Sequence, residues 1–219
     1  MWDIWQKKIR RLQRTQNMKH FRWWGVIRYN MIVLNPVVLI REALELIGNV
    51  HQRYHLLRLA RATEIDFSRL STVVEIGGGY GAMCASVYDR GFNGRYILYD
   101  LPEMLKLQQY HLKARGLSGK EILYTSDSDD IQPGNGDALL IAMWSLSEIP
   151  LAQRGVIAAQ FKDFRYWLFG FQGRFDGVDN VRYFNRLSER MGGDWNTTRI
   201  PHLGKENYYL ISSRGATCW

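Results

Sequence analysis

The feature that most constrains this chain is a break in texture at Ser71. A short apolar run, Thr72 to Ile76, ends in Gly77-Gly78-Gly79, and a helical stretch follows at once. Three glycines in a row turn a chain tightly, permit positive φ, and let another molecule approach the backbone without meeting a Cβ. Further apolar runs at 95–100, 121–125, 137–144, 166–172 and 206–213 alternate with helical stretches at about 80–90, 102–115, 151–163 and 177–191. That alternation predicts a parallel sheet covered by helices on both faces. The end differs. Residues 194–200 and 207–213 are strand-like and joined by Pro201-His202-Leu203-Gly204, too short a link for a parallel return, so they form an antiparallel pair.

Residues 1–70 read as a helical cap and 71–219 as the α/β domain. Trp2, Trp5, Ile9 and Leu12 share one helix face, with Lys7, Lys8, Arg10, Arg11 and Arg14 around them. Phe21, Trp23 and Trp24 form an aromatic cluster. A helix is expected from Pro36 to Gly48-Asn49, where a stop signal stands, and another from His51 to about Thr63. The net charge of +8 is segregated: residues 1–70 hold 13 Lys and Arg against 5 Asp and Glu, whereas 71–219 hold 16 of each. A localised basic field attracts an anionic partner, such as a sugar phosphate, nucleotide sugar, anionic lipid surface or nucleic acid. The alternative is a solvated basic face without a partner. The longest apolar stretch, Met31 to Ile40, contains Asn35 and Pro36 and is about half the ~20 residues that span a bilayer. No signal-peptide pattern opens the chain, and Cys84 and Cys218 lack metal-ligand spacing. A soluble, cytoplasmic protein with free thiols is expected.

The glycines alone admit two ligands. Gly77, Gly79 and Ala82 satisfy G-x-G-x-x-G/A, a dinucleotide turn. Two acids discriminate. Glu75, inside the strand, would repel a pyrophosphate but suits a cationic ligand. Asp100, ending the next strand, can accept both hydroxyls of a ribose.

The blocks Val74-Glu75-Ile76-Gly77-Gly78-Gly79-Tyr80-Gly81 and Tyr99-Asp100-Leu101-Pro102-Glu103 resemble the class I S-adenosylmethionine-dependent methyltransferases. With Met143-Trp144-Ser145-Leu146-Ser147-Glu148 and Phe21-Arg22-Trp23-Trp24, the chain is similar to the bacterial sugar O-methyltransferases from about residue 20 onward. The resemblance implies a Rossmann-like, mostly parallel seven-stranded sheet with an antiparallel last strand. It implies that Glu75, Gly77 and Gly79 line the methionine end of the cofactor and Asp100 with Leu101 the ribose, with Gly78 and Tyr80 of the same loop as further candidate cofactor contacts. Asp127 and Ser128 would flank the adenine, and Trp144, at the end of the fourth strand, is a further candidate cofactor contact.

Methyl transfer needs an acceptor oxygen held in line with the methyl group, water excluded, and a group to take up the hydroxyl proton. In an open α/β sheet that site lies at the C-terminal strand ends. Those ends offer Ser145, Ser147 and Glu148 after the fourth strand, and Gln172, Arg174, Asp176, Asp179 and Asn180 around the fifth. Glu148 and His202 are the candidate catalytic groups, and Trp24, Ser145, Ser147, Gln172 and Asn180 the candidate acceptor contacts. His20, His51 and His55 are further possible bases that a lid would bring over the site. Glu148, Asp176 and Asp179 have no spacing that singles out a metal site, so none is expected. Two other readings stay open. One is a nucleic-acid methyltransferase using residues Lys7 to Arg28 as an electrostatic footprint. The other is a non-catalytic membrane-surface module anchored by Trp2 and Trp5.

Overall fold

A computed structural model of the chain describes residues 36–192, 195–204 and 206–214. The expected helix at Trp2 to Leu12 and the aromatic cluster with Trp24 lie outside the described residues. The chain divides into two compact units, residues 1–46 and 47–219. Of the first, only the opening turns of a helix are described; the second carries the sheet.

That helix, α1, runs unbroken from Pro36 to Thr63. The stop expected at Gly48-Asn49 is thus corrected: both residues are helical. A helical glycine costs about 1 kcal/mol relative to alanine. Burial of Leu56 and Leu59 beyond it offsets that cost.

Seven strands make one sheet: β1 (Thr72–Ile76), β2 (Arg95–Tyr99), β3 (Ile122–Thr125), β4 (Ala138–Met143), β5 (Tyr166–Gln172), β8 (Trp195–Arg199) and β9 (Asn207–Ser213). A two-residue pair, β6 (Arg174–Phe175) and β7 (Val178–Asp179), stands apart. The order across the sheet is β3-β2-β1-β4-β5-β9-β8. β1 pairs in parallel with both β2 and β4, so the chain reverses its winding direction there. β9 is antiparallel to both β5 and β8. This is the mostly parallel seven-stranded arrangement expected, with the antiparallel pair at one edge.

Helices α2 (Ala82–Tyr88), α3 (Pro102–Ala114), α4 (Ser145–Glu148), α5 (Leu151–Ala158) and α6 (Asn180–Met191) complete the fold. Successive strand residues point to opposite faces, and both faces are covered. Val73, Leu139, Ile141, Leu168 and Ile211 pack with Leu56 and Leu59 of α1 and with α2. Val74, Leu140, Ala142, Phe169 and Phe171 pack with Ile157 of α5 and with Phe184 and Leu187 of α6. This two-sided burial explains why β1 and β4 read as continuous apolar runs rather than alternating ones. No helix among the described residues is long and apolar enough to cross a membrane.

Candidate functional site

The switch in winding direction places the end of β1 between the ends of β2 and β4, and the glycine loop occupies that position. A Cβ on Gly77, whose φ is 72°, would collide with the Ser145 side chain. Ser145 Oγ donates to the Ile76 carbonyl, so α4 is fastened to the loop. A Cβ on Gly78 would press on Leu98 and on the carboxyl of Glu75, which lies beneath the loop. Gly79 is different. It is exposed, has φ 56°, and a Cβ there would meet nothing within 4 Å. Its open face is therefore free for a ligand.

Glu75 is buried and accepts a hydrogen bond from the Tyr96 hydroxyl at 2.7 Å. Burial pushes its carboxyl up to about 7, opposed by the Tyr96 bond and reinforced by the nearby Asp100. Asp100 stands at the tip of β2. Its Oδ1 accepts from the Leu101 amide at 2.8 Å and its Oδ2 from Gln108 Nε2 at 2.7 Å, while burial raises its pKa. Gln108 Nε2 also lies 3.1 Å from the Gly79 carbonyl. One buried amide of α3 thus ties the ribose-type acid to the glycine loop. The Gly78 amide also bonds to the Asp100 carboxylate, which with about four lone-pair sites keeps acceptor capacity beyond these donors. Leu101 beside it is 68% exposed, an apolar surface on which a base can lie. Asp127 is exposed and caps a short turn by accepting from the Asp129 amide at 2.9 Å, and Ser128 opens that turn. Tyr80 is partly buried, its ring edge-on to His111 at 4.9 Å.

The donor set fits the cofactor that the sequence resemblance implies. A buried acid under an open glycine suits a cationic ligand, and an acid at the β2 tip suits a ribose. A dinucleotide's pyrophosphate would lie over the buried carboxyl of Glu75.

Trp144, leaving β4, has φ 65°, a conformation that costs a residue other than glycine roughly 1–2 kcal/mol. Its amide donates to the Gly170 carbonyl at 2.6 Å and its Nε1 to Asn207 Oδ1 at 2.9 Å. Asn207 Nδ2 in turn donates to the Leu203 carbonyl at 2.7 Å, bracing the turn that carries His202. The Trp144 ring stacks on His51 at 6.1 Å and meets His55 edge-on at 5.5 Å. His51 Nε2 and His202 Nε2 are 3.3 Å apart. These two line a pocket of about 640 Å³ with Val50, Tyr54, Pro201 and Leu203. His55 lies beneath, fully buried, its Nδ1 hydrogen-bonded to the Tyr209 hydroxyl. Burial and the adjacent imidazoles depress its pKa to about 3, so it is neutral.

Other expected site residues are placed differently. Ser147 and Asn180 are fully buried and belong to the wiring of the fold, which corrects their reading as acceptor contacts. Ser147 Oγ lies 2.6 Å from the Trp144 carbonyl and 2.7 Å from Gln172 Oε1. Buried Arg154 donates to the Ser147 carbonyl and to Asn180 Oδ1, at 2.5 and 2.7 Å. Gln172 is half-buried, and its Nε2 donates to exposed Glu148 at 3.3 Å. Glu148 is thus an exposed partner of Gln172. Ser145 serves the glycine loop. Among the described residues no group of three or more His, Cys, Asp or Glu is arranged to hold a metal ion.

Sequence reasoning did not single out Gln108, Arg154 or Tyr209. His51 and His55 carried a usable signal, since an i, i+4 spacing puts both on one helix face. Nothing local links them to His202.

Comparison with known proteins accords with this geometry. The sequence model of an O-methyltransferase domain matches residues 41–143, from α1 to the end of β4. The O-demethylpuromycin-O-methyltransferase of Streptomyces alboniger is 32% identical over 83 residues, 38% of this chain and 22% of that protein. The chain thus spans about a fifth of the length of the curated relative it matches. An O-methyltransferase family protein from Burkholderia thailandensis superposes with TM-score 0.55 at 16% identity, over 78% of this chain and 59% of that one. The mitomycin 7-O-methyltransferase MmcR gives TM-score 0.50 at 19% identity, over 80% and 58%. These likenesses establish the fold.

Proposed function

We propose that this chain, which carries the fold of the class I S-adenosylmethionine-dependent methyltransferases, binds S-adenosylmethionine and transfers its methyl group to a hydroxyl of a small acceptor. The observation that carries the reading is the open Gly79 face, with buried Glu75 beneath the loop and partly buried Asp100 at the tip of β2, at the reversal of the sheet. The cofactor supplies an electrophilic methyl on a sulfonium. The chain's own part is to hold that cation with Glu75 and its ribose with Asp100. It also excludes water with Trp144 and presents the acceptor from the pocket around His51, Tyr54 and His202. A sugar hydroxyl, expected from the sequence resemblance, draws support from the Tyr54 ring in the pocket lining, an aromatic surface for the apolar side of a sugar.

Calorimetry tests the cofactor: S-adenosylmethionine should bind, NADH should bind far more weakly, and Asp100→Ala should lose at least about tenfold in affinity, the worth of one good polar contact. A wild type that prefers NADH, or binds neither, sinks the reading. Radiolabelled methyl transfer to a panel of sugars, nucleotide sugars and phenols then identifies the acceptor.

A further inference from the structure

We propose that His51 and His202 act as a single paired base that receives the acceptor's hydroxyl proton, an inference that rests on the methyl-transfer reading above. The two come from elements 151 residues apart, yet their Nε2 atoms lie 3.3 Å from each other and their rings meet edge-on. That separation is a hydrogen bond when one nitrogen carries a proton and the other a lone pair. Two imidazolium ions could not occupy it without strong like-charge repulsion. The pair thus shares one proton acceptor between two rings, and both rings line the pocket. Burial and the neighbouring His202 lower the pKa of His51, which keeps it unprotonated near neutrality.

The surroundings fix this geometry and remove competitors. His55, 4.2 Å from His51 between ring centres, is fully buried and committed to Tyr209. Asn207 ties the His202 turn to Trp144, whose neighbour Ser145 bears on the glycine loop. The pair is therefore tied to the end of β4, from which Ser145 bears on the glycine loop. The other titratable groups facing the cluster are Tyr54, His55 and Arg58 from α1 and Tyr209 from β9. In the step itself the acceptor oxygen bonds to the methyl carbon, and its O–H bond breaks with the proton passing to the Nδ1 lone pair of the ring whose Nε2–H is donated to the other imidazole, so the hydrogen bond between the rings stays intact. The carbon–sulfur bond breaks with its electron pair left on sulfur. The products are a methyl ether, a neutral thioether and one imidazolium, which releases its proton to water.

The test begins with NMR titration of the histidine rings in the full chain without acceptor, so pairing is decided whatever the acceptor proves to be. In His202→Gln the His51 midpoint should rise, because a like charge has been removed. An unchanged midpoint would show that the rings titrate independently and overturn the proposal. With the acceptor found in the panel, His51→Gln and His202→Gln should each lower kcat by roughly 100-fold, the usual scale for a lost general base. The double variant should be no worse than the poorer single one, because the two act as a unit. Cofactor affinity measured by calorimetry should not move, which separates this failure from failure of the methyl-transfer reading. His51→Asn guards against a misfolded glutamine variant. Losses that multiply, or activity abolished by a chelator and restored by zinc, would replace the paired base with independent contacts or a metal.

Discussion

Glu75 places a carboxyl in a fully enclosed setting, with a tyrosine hydroxyl as a direct hydrogen-bond partner and a second acid nearby. Such a group is half-protonated near pH 7 when no cation is present. A bound sulfonium and ammonium would favour its ionised form, so binding below neutrality expels a proton. Affinity for S-adenosylmethionine should therefore climb as pH rises, by up to tenfold per unit below the free carboxyl's pKa, and level off above it. S-adenosylhomocysteine, lacking the sulfonium, should show a shallower slope. Glu75→Gln should weaken S-adenosylmethionine by about tenfold at pH 8 and flatten its profile, as read by calorimetry across pH. A profile unchanged by the substitution would remove Glu75 from the site. The sign for folding is opposite. A raised pKa means the folded state holds the proton better, so this stabilisation is full below the ordinary value of 4.5 and lost as pH rises through about 7.

At the scale of elements, the segment from β4 to α6 shows what sequence can and cannot disclose. The strands and the glycine loop were legible, because apolar period and glycine placement are local signals. Glu75 and Asp100 were legible because their offsets from that loop fix their positions. Ser147 and Asn180 were misread as acceptor contacts because they follow strand ends, where ligands usually sit. What claims them instead is Arg154 on the next helix, a buried cation that bonds to the Ser147 and Ile149 carbonyls and to Asn180 and lies 4.8 Å over the Tyr183 ring. Only packing reveals that. Replacing Arg154 by Leu removes the donor to Asn180 Oδ1 and to the Ser147 and Ile149 carbonyls and should cost about 2 kcal/mol or more in urea unfolding. Cofactor affinity should stay within about threefold, since none of these atoms touches the loop or Asp100. A variant of unchanged stability would argue against this wiring.

For the whole molecule the charge distribution sets a constraint the sheet does not. Residues 1–35 carry eight Lys and Arg against one acid, whereas 36–219 carry 21 against 20. The excess is therefore confined to residues 1–35 of the sequence. A near-neutral catalytic unit gives an anionic acceptor no net attraction of its own, so any steering must come from this segment. Exposed charges act over about 8–10 Å at physiological ionic strength, which makes such steering salt-sensitive. The proposed partner is an acceptor carrying phosphate, such as a nucleotide-linked sugar. Its KM should rise steeply between 0.05 and 0.5 M salt, taken as rough bounds of screening, while S-adenosylmethionine affinity responds far less. Neutralising Lys7, Lys8, Arg10, Arg11 and Arg14 with Gln should remove the salt dependence and leave kcat at saturating acceptor unchanged. The same variant distinguishes the other anionic partners. If the wild type instead shifts RNA in gels or floats with anionic vesicles, and the neutralised chain does neither, the segment serves nucleic acid or membrane. The acceptor would then find its pocket without electrostatic help.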